Sequence, residues 1–297
     1  MDISIIIVNY KTYRLTSDCV KSIYKKSNNV SFEVIIIDNN SDEYELNLLP
    51  SKYPNLRLVL LNENIGFGRA NNFGAKLAIG KYLFFLNSDT YFLNNALKYY
   101  FDFFQINCDK LKIGVLGSIL KDESLDETGS FGPLPQPIKF LLFSLGFYNK
   151  NTKISRRQMK SLCNNSYFEV GYVTGANMFI LKDTFNLVEG FDENIFMYYE
   201  ESDLQFRLKM NSYNNYIIKG PEIVHLEGKS FSAGIINNNK RLMIEKSRFY
   251  YFNKNSNIFI YVLFRIIYLF IRVITILDFR YSLKDRKEYL KMLLKFK

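Results

Sequence analysis

Cysteine is scarce and scattered in this chain. The 297 residues hold three, Cys19, Cys108 and Cys163, with no C-x-x-C pair among them. That spacing excludes a disulfide framework and a zinc cluster built on paired thiolates, and it suits a reducing cytosol. No secretory leader is expected either, because the apolar run Ile3–Val8 is too short for a signal-peptide core and no basic region precedes it. There is no internal repeat. No glycine-rich phosphate loop with a basic residue follows the first apolar run, which counts against a nucleotidyltransferase. Net charge is absent from most of the chain as well. Residues 1–239 hold 25 basic and 25 acidic side chains, while residues 240–297 hold 14 Lys/Arg against 4 Asp/Glu. The whole formal excess of +10 therefore lies at the C-terminal end. There it flanks a long apolar stretch, which favours an anionic membrane surface over nucleic acid as partner.

What is present in the first hundred residues is an alternation of short apolar runs with helical patterns, the signature of an α/β fold with a largely parallel sheet. Strands are expected at Ser4–Val8, Glu33–Ile37, Arg57–Leu61 and Tyr82–Leu86, with helices near 13–24, 68–79 and 94–104. Each strand ends in polar residues, and in open α/β sheets ligands collect at those ends. Residues 122–166, with Gly129, Gly132, Pro133, Pro135 and Pro137, read as a loop-rich segment. A strand over Val173–Leu181, broken at Gly175, and a helix from Glu200 with Leu204 and Leu208 on one face are expected after it.

Several of these polar positions suit the chemistry of a nucleotide diphosphate donor. Asp38 ends an apolar strand and can accept a hydrogen bond from a base edge, with Asn9 and Tyr10 beside it; equally, it can begin an Asx turn or cap a helix. The run from Asn64 through Gly66 and Gly68 to Arg69 opens a helix with backbone that can approach ribose or phosphate. Arg69 is a candidate base or phosphate contact and otherwise a solvated helix residue. Ser88-Asp89 follows a buried strand, and one carboxylate plus a diphosphate can assemble much of the shell of a hard cation. Glu200, Glu201 and Asp203 cluster at a helix start, where acids complement the helix dipole, or where one carboxylate serves as general base with its proton affinity raised by neighbouring acids. His225, the chain's one histidine, is a structural residue or a ligand for a borderline cation.

In order, the blocks VNYK, IDNNSD, NENIGFGRANNFG, FLNSDT, TGANMFI, GFDENIFMYYEESDLQFRLK and PEIVHLEGKS resemble the family-2 glycosyltransferases, nearest to the rhamnosyltransferase-like branch of surface-polysaccharide enzymes. The resemblance spans roughly residues 2–232. It implies a GT-A fold with a central, mainly parallel mixed sheet, and an inverting transfer that uses Mg²⁺ or Mn²⁺ on the donor diphosphate. The family's Asp-x-Asp motif falls on Asn87-Ser88-Asp89, so the metal contact passes to Asp89, with His225 as second ligand. Its Glu-Asp pair falls on Glu200-Glu201, so Glu201 stands where the base is usually Asp. Asp38 matches the base-reading Asp, and Asn9, Tyr10, Asn64, Gly66, Arg69 and Ser88 fall in nucleotide-site blocks.

These readings divide the chain into a GT-A domain over 1–250 and a basic amphipathic helical tail over 251–297. Ile258–Leu277 is long enough to span a bilayer. Arg265 and Arg272 argue against a simple span and for a helix lying in the interface on the inner face of the cell membrane, the alternative being packing on protein. The implied partners are a nucleotide-sugar donor, dTDP-rhamnose before UDP-hexose or UDP-galactofuranose, and a saccharide acceptor that an interfacial tail would suit when polyprenyl-linked. Peripheral membrane contact through 258–297 and a homodimer complete the expectations, and no nucleic acid is expected. A nucleotidyltransferase and a non-catalytic nucleotide-sugar-binding protein are the alternative classes.

Overall fold

The structure, a computed structural model, describes residues 1–147, 155–226, 238–273, 278 and 280–295. Its first half is the expected alternation. Strands Ile3–Asn9 (β1), Phe32–Asp38 (β2), Leu56–Leu60 (β3) and Tyr82–Asn87 (β4) are separated by helices Tyr13–Lys26 (α1), Leu49–Lys52 (α2) and Phe67–Leu77 (α3). β3, β2, β1 and β4 lie side by side, all parallel. Period-two alternation sends Ile3, Ile5 and Ile7 to one face of β1 and Ile6 to the other. Both faces are covered, which is why the strand reads as a nearly continuous apolar run. One face takes α1, through Cys19, Val20 and Ile23, and the other takes α3, through Ala70 and Ala75. Burying each Ile or Val contributes about 1.5–3 kcal/mol.

The chain continues through Thr90–Phe92 (β5), Ala96–Asn107 (α4), Ile113–Gly117 (β6), Leu120–Lys121 (β7) and Phe131–Gly132 (β8). The segment expected to be loop-rich carries two helices, Pro137–Ser144 (α5) and Arg156–Asn165 (α6), with 148–154 outside the described residues. The cause is local: Pro137 sits at the first turn of α5, and Ser155 with Gln158 forms a capping box for α6. Next come Tyr167–Val170 (β9), Tyr172–Val173 (β10), Asn177–Leu181 (β11), Lys182–Leu187 (α7), Glu200–Met210 (α8), Asn214–Ile218 (β12) and Ile223–His225 (β13). The single strand expected over 173–181 is thus two, belonging to different sheets. The large sheet runs β3-β2-β1-β4-β11-β6-β12-β9, with β11 antiparallel to β4 and β6, so it is mixed and mainly parallel as expected. A small sheet, β5-β13-β7, stands beyond the end of β4.

Three helices close the chain: Asn238–Asn255 (α9), Ile258–Val273 (α10) and Leu283–Lys295 (α11). α9 is continuous through the expected boundary at 250/251. With α5, α10 and α11 it builds a third core around Phe249, Phe252, Phe264, Tyr268 and Tyr289, against which Tyr199 and Phe206 also pack. Among the described residues no helix is long and apolar enough to cross a membrane; residues 274–277 of the apolar stretch lie outside them. Arg265 and Arg272 do share a helical face, but it is turned toward protein. Arg265 Nη2 donates to the Leu293 carbonyl at 3.3 Å, and Arg272 Nε donates to Tyr268 Oη at 2.7 Å.

Candidate active site

Two concavities flank the segment Phe196–Tyr199. The first, about 350 Å³, lies at the carboxyl ends of β1, β2 and β4 and is lined by Tyr10, Asn39, Asn64, Gly66, Ser88 and Asp89 among others, with Phe196, Met197 and Met243 as its far wall. The second, about 290 Å³, holds Glu201 together with Tyr172, Tyr198, Tyr199, Lys139 and Arg248.

The floor of the first cleft is a hydrogen-bonded lattice centred on Asn9. Its amide nitrogen contacts Asp38 Oδ1 at 2.8 Å, Ser41 Oγ at 2.9 Å and Glu43 Oε2 at 2.9 Å, and its oxygen accepts from Thr12 and Thr16. Asn9 is wholly buried, so the expected nucleotide contact is corrected to a support beneath the cleft. Asp38 is likewise buried, and its Oδ2 accepts from the Ser41 backbone N–H at 3.0 Å. That is the turn-forming alternative its residue type allowed, and Asp38 does not border the cleft. The side chain that does, and that sequence reasoning passed over, is Asn39. It accepts from Ile65 N at 2.9 Å and donates to Asn64 Oδ1 at 2.8 Å, which fastens the 64–66 loop to the end of β2. Its place in the polar run after β2 was the available signal.

Gly66 has φ +89°, and an added Cβ would lie 2.3 Å from the Phe196 carbonyl oxygen. Glycine is required there because the 189–199 segment presses on the loop: Phe67 N donates to that same carbonyl at 2.9 Å. Asn72 reinforces the contact with a reciprocal pair of 2.9 Å bonds to the Phe191 backbone. Arg69 is exposed, and its Nε donates to the Glu193 carbonyl at 2.5 Å. It is not among the residues that line the cleft, and in place of the expected contact with base or phosphate it braces the same segment.

Asp89 and His225 meet although 136 positions separate them. Antiparallel pairing of β13 with β5 sets His225 opposite Thr90, and Leu226 N donates to the Asp89 carbonyl at 2.9 Å. The result is Asp89 Oδ1 at 3.2 Å from His225 Nε2, with Asn87 Nδ2 3.4 Å from the same nitrogen. Adjacent ligands of one cation held at about 2.1 Å lie about 3 Å apart. The pair therefore fits a divalent cation whose remaining ligands come from a diphosphate and water. Among the described residues no group of three or more His, Cys, Asp or Glu could hold a metal without such help. Ser88 lines the cleft and bonds Thr12 Oγ1 at 3.1 Å.

The three acids of α8 go three ways. Asp203 is fully buried and bound by Arg207 Nε at 2.8 Å, Lys254 Nζ at 2.9 Å and Asn255 Nδ2 at 2.9 Å. Its candidacy as a catalytic acid is corrected: it is the anchor of α9. Glu200 is buried with Oε2 lacking a hydrogen-bond partner, and burial, then the Glu201 charge, raises its pKa well above the usual carboxylate value. Glu201 is half-buried and lines the second cavity. The turn that leads into the two is formed by Tyr198 and Tyr199, both left-handed at φ 68° and 69°, a costly backbone for bulky residues that packing must hold. Arg248 does so, donating from Nε to Tyr199 Oη at 2.9 Å while its Nη1 pairs with Glu245 at 2.6 Å. Neither Tyr199 nor Arg248 stood out in the sequence, since both depend on the packing of α9.

Comparison with known proteins agrees with the fold. The family model described as Glycosyl transferase family 2 matches residues 4–185. An N-acetylglucosaminyl-diphospho-decaprenol L-rhamnosyltransferase of Mycobacterium tuberculosis is 25% identical over 210 residues, 66% of this chain and 67% of that protein. A poly(ribitol-phosphate) beta-glucosyltransferase of Bacillus spizizenii is 31% identical over 124 residues, 40% of this chain, though only 20% of its own length is covered. Among solved structures, GalNAc-T7 with UDP, GalNAc and Mn²⁺ is matched at TM-score 0.61 and 12% identity, over 99% of this chain and 55% of that one. S. aureus TarS 1–349 with UDP-GlcNAc is matched at TM-score 0.52 and 17% identity, over 99% and 72%. With the mixed sheet and its strand-end cleft, these place the chain in glycosyl transferase family 2, with a GT-A fold.

Proposed function

We propose that the protein is an inverting glycosyltransferase of surface-polysaccharide assembly. A nucleotide diphosphate sugar occupies the cleft at Asp89 and His225, and the hydroxyl of a saccharide acceptor enters the cavity at Glu201. The observation that carries this reading is the pairing of the two concavities across Phe196–Tyr199, one bordered by Asp89 with His225 3.2 Å from it and the other by a half-buried carboxylate.

In the reaction, Glu201 takes the proton of the acceptor hydroxyl as its oxygen bonds to the anomeric carbon. The bond from that carbon to the diphosphate oxygen breaks on the opposite side, so the configuration inverts and the electron pair leaves with the diphosphate. Asp89 and His225 would hold Mg²⁺ or Mn²⁺, which supplies positive charge to the departing diphosphate. Tyr10 and Asn64 border the space for the nucleoside. Burial and the Glu201 charge raise the proton affinity of Glu200, which lessens the negative charge that the base faces.

For the donor, dTDP-rhamnose is favoured by the span and name of the mycobacterial relative. A UDP-linked hexose is favoured by the glucosyltransferase relative and the UDP-sugar neighbours. The decaprenol in the mycobacterial enzyme's name supports a polyprenyl-linked acceptor. A screen of nucleotide sugars with Mn²⁺ and Mg²⁺, by binding and by transfer, tests the assignment. Glu201→Gln should lower kcat by about 10²–10⁴ with nucleotide binding intact, and Asp89→Ala should abolish metal-dependent nucleotide binding. Near wild-type transfer in both variants would overturn it.

A further inference from the structure

Helix α10 is built inside out for a protein in water. Its protein-facing side buries Tyr261, Phe264 and Tyr268 and turns the partly buried Arg265 and Arg272 toward protein, so the polar side chains of the helix lie on that side. The stripe facing solvent is Phe259, Leu263, Ile266, Phe270 and Val273, at spacings of four, three, four and three, and every member is apolar. Phe259 and Phe270 are 81% and 75% exposed. α5 packs beside α10 through Phe140, whose ring meets Phe264 and Tyr268, and it adds exposed Ile138, Leu142 and Leu145. A continuous apolar face of this kind marks an interaction surface rather than scattered exposure.

We propose that the α5–α10 face docks on an anionic lipid bilayer, laying α10 in the interface. The charge around the face selects that occupant. α11, packed against α10, turns Lys284, Lys287 and Lys291 outward, and Lys139 is exposed on α5. Cations beside an apolar stripe match anionic head groups above acyl chains. A two-fold contact between copies through this face would instead set the lysines of one copy against those of the other. The face also adjoins the Glu201 cavity, because Lys139, Phe140 and Phe143 of α5 line that cavity. A docked molecule thus brings its acceptor site to the membrane surface, where a lipid-linked saccharide lies. Only this last step rests on the glycosyl-transfer reading.

Flotation of the full chain with vesicles tests the proposal. The chain should float with mixed phosphatidylglycerol and phosphatidylcholine and far less with phosphatidylcholine alone. The double variant Phe259→Asp/Phe270→Asp should lose at least about tenfold in partitioning and keep wild-type nucleotide binding, since both rings stand in solvent. Point variants are preferable to truncation, which would strip the third core. No flotation by the wild-type chain, or a dimer that the double variant dissociates in the absence of lipid, overturns the docking face. Hydrolysis of the nucleotide sugar reads the catalytic assignment separately. Flotation without any hydrolysis sinks that assignment and supports the docking face, and hydrolysis without flotation does the reverse.

Discussion

The two sides of the Phe196–Tyr199 partition are built differently. On the donor side, the polar side chains of the floor come from residues 9 to 89, and hydrogen bonds of Asn9, Asn39, Thr12 and Ser88, with the Asp38 and Glu43 carboxylates accepting from Asn9, do most of the positioning. On the acceptor side, the wall is drawn from α5, α8 and α9, and buried charges position it: Asp203 with Arg207 and Lys254, and Glu245 with Arg248 and Arg272. A lattice in which amides and hydroxyls share several bonds tolerates the loss of one member better. A network around buried carboxylates tolerates it less, because removing one partner leaves charged groups with little access to water.

That contrast gives its largest expected effect at Asp203. Asp203→Ala should destabilise the protein by about 3–5 kcal/mol in urea unfolding, while the fraction still folded retains turnover; loss of turnover in folded protein would return Asp203 to the catalytic list. On the donor side, Asn9→Ala should cost less, about 1–3 kcal/mol, and loosen nucleotide binding only through Asp38 and Ser41, as calorimetric titration can show.

Glu200 is a pH probe of the same partition. Its folded pKa lies above the ordinary glutamate value of about 4.5, so the folded state binds more protons than the unfolded one as pH rises past that value. Stability from this group is complete below about 4.5 and falls as pH climbs through the folded pKa. Glu200→Gln should therefore flatten the decline in melting temperature on the alkaline side. An unchanged slope would mean that Glu200 is ionised in the folded protein. The smallest effect is expected at Arg69, where Arg69→Ala should change nucleotide affinity by less than about twofold, as for an exposed side chain braced on a carbonyl; a tenfold loss would put its guanidinium on the nucleotide.

The first four strands and their helices were legible because period and burial agree there: a sheet covered on both faces demands apolar runs, and polar residues must follow where each strand emerges. The helices at 137–144 and 156–165 were hidden by a proline- and glycine-rich text whose Pro137 and Ser155 are helix starts rather than breaks. Among the site residues, residue type identified Asp89, His225 and Glu201 as chemically capable. It could not separate Glu201 from Asp203, two positions on, because only the packing of α9 puts Lys254 and Asn255 against Asp203.

The sequence by itself determined the class of fold, the strand ends where ligands gather and the residue types able to bind a cation or take a proton, since these follow from local periodicity and chemistry. Tertiary structure alone decided which of those residues face a cavity. The β5–β13 pairing brought His225 to Asp89, the Phe196 carbonyl claimed Gly66, and the α9–α11 core turned both arginines of α10 inward. Each of these is a contact across tens to hundreds of residues, made by packing that no local pattern encodes.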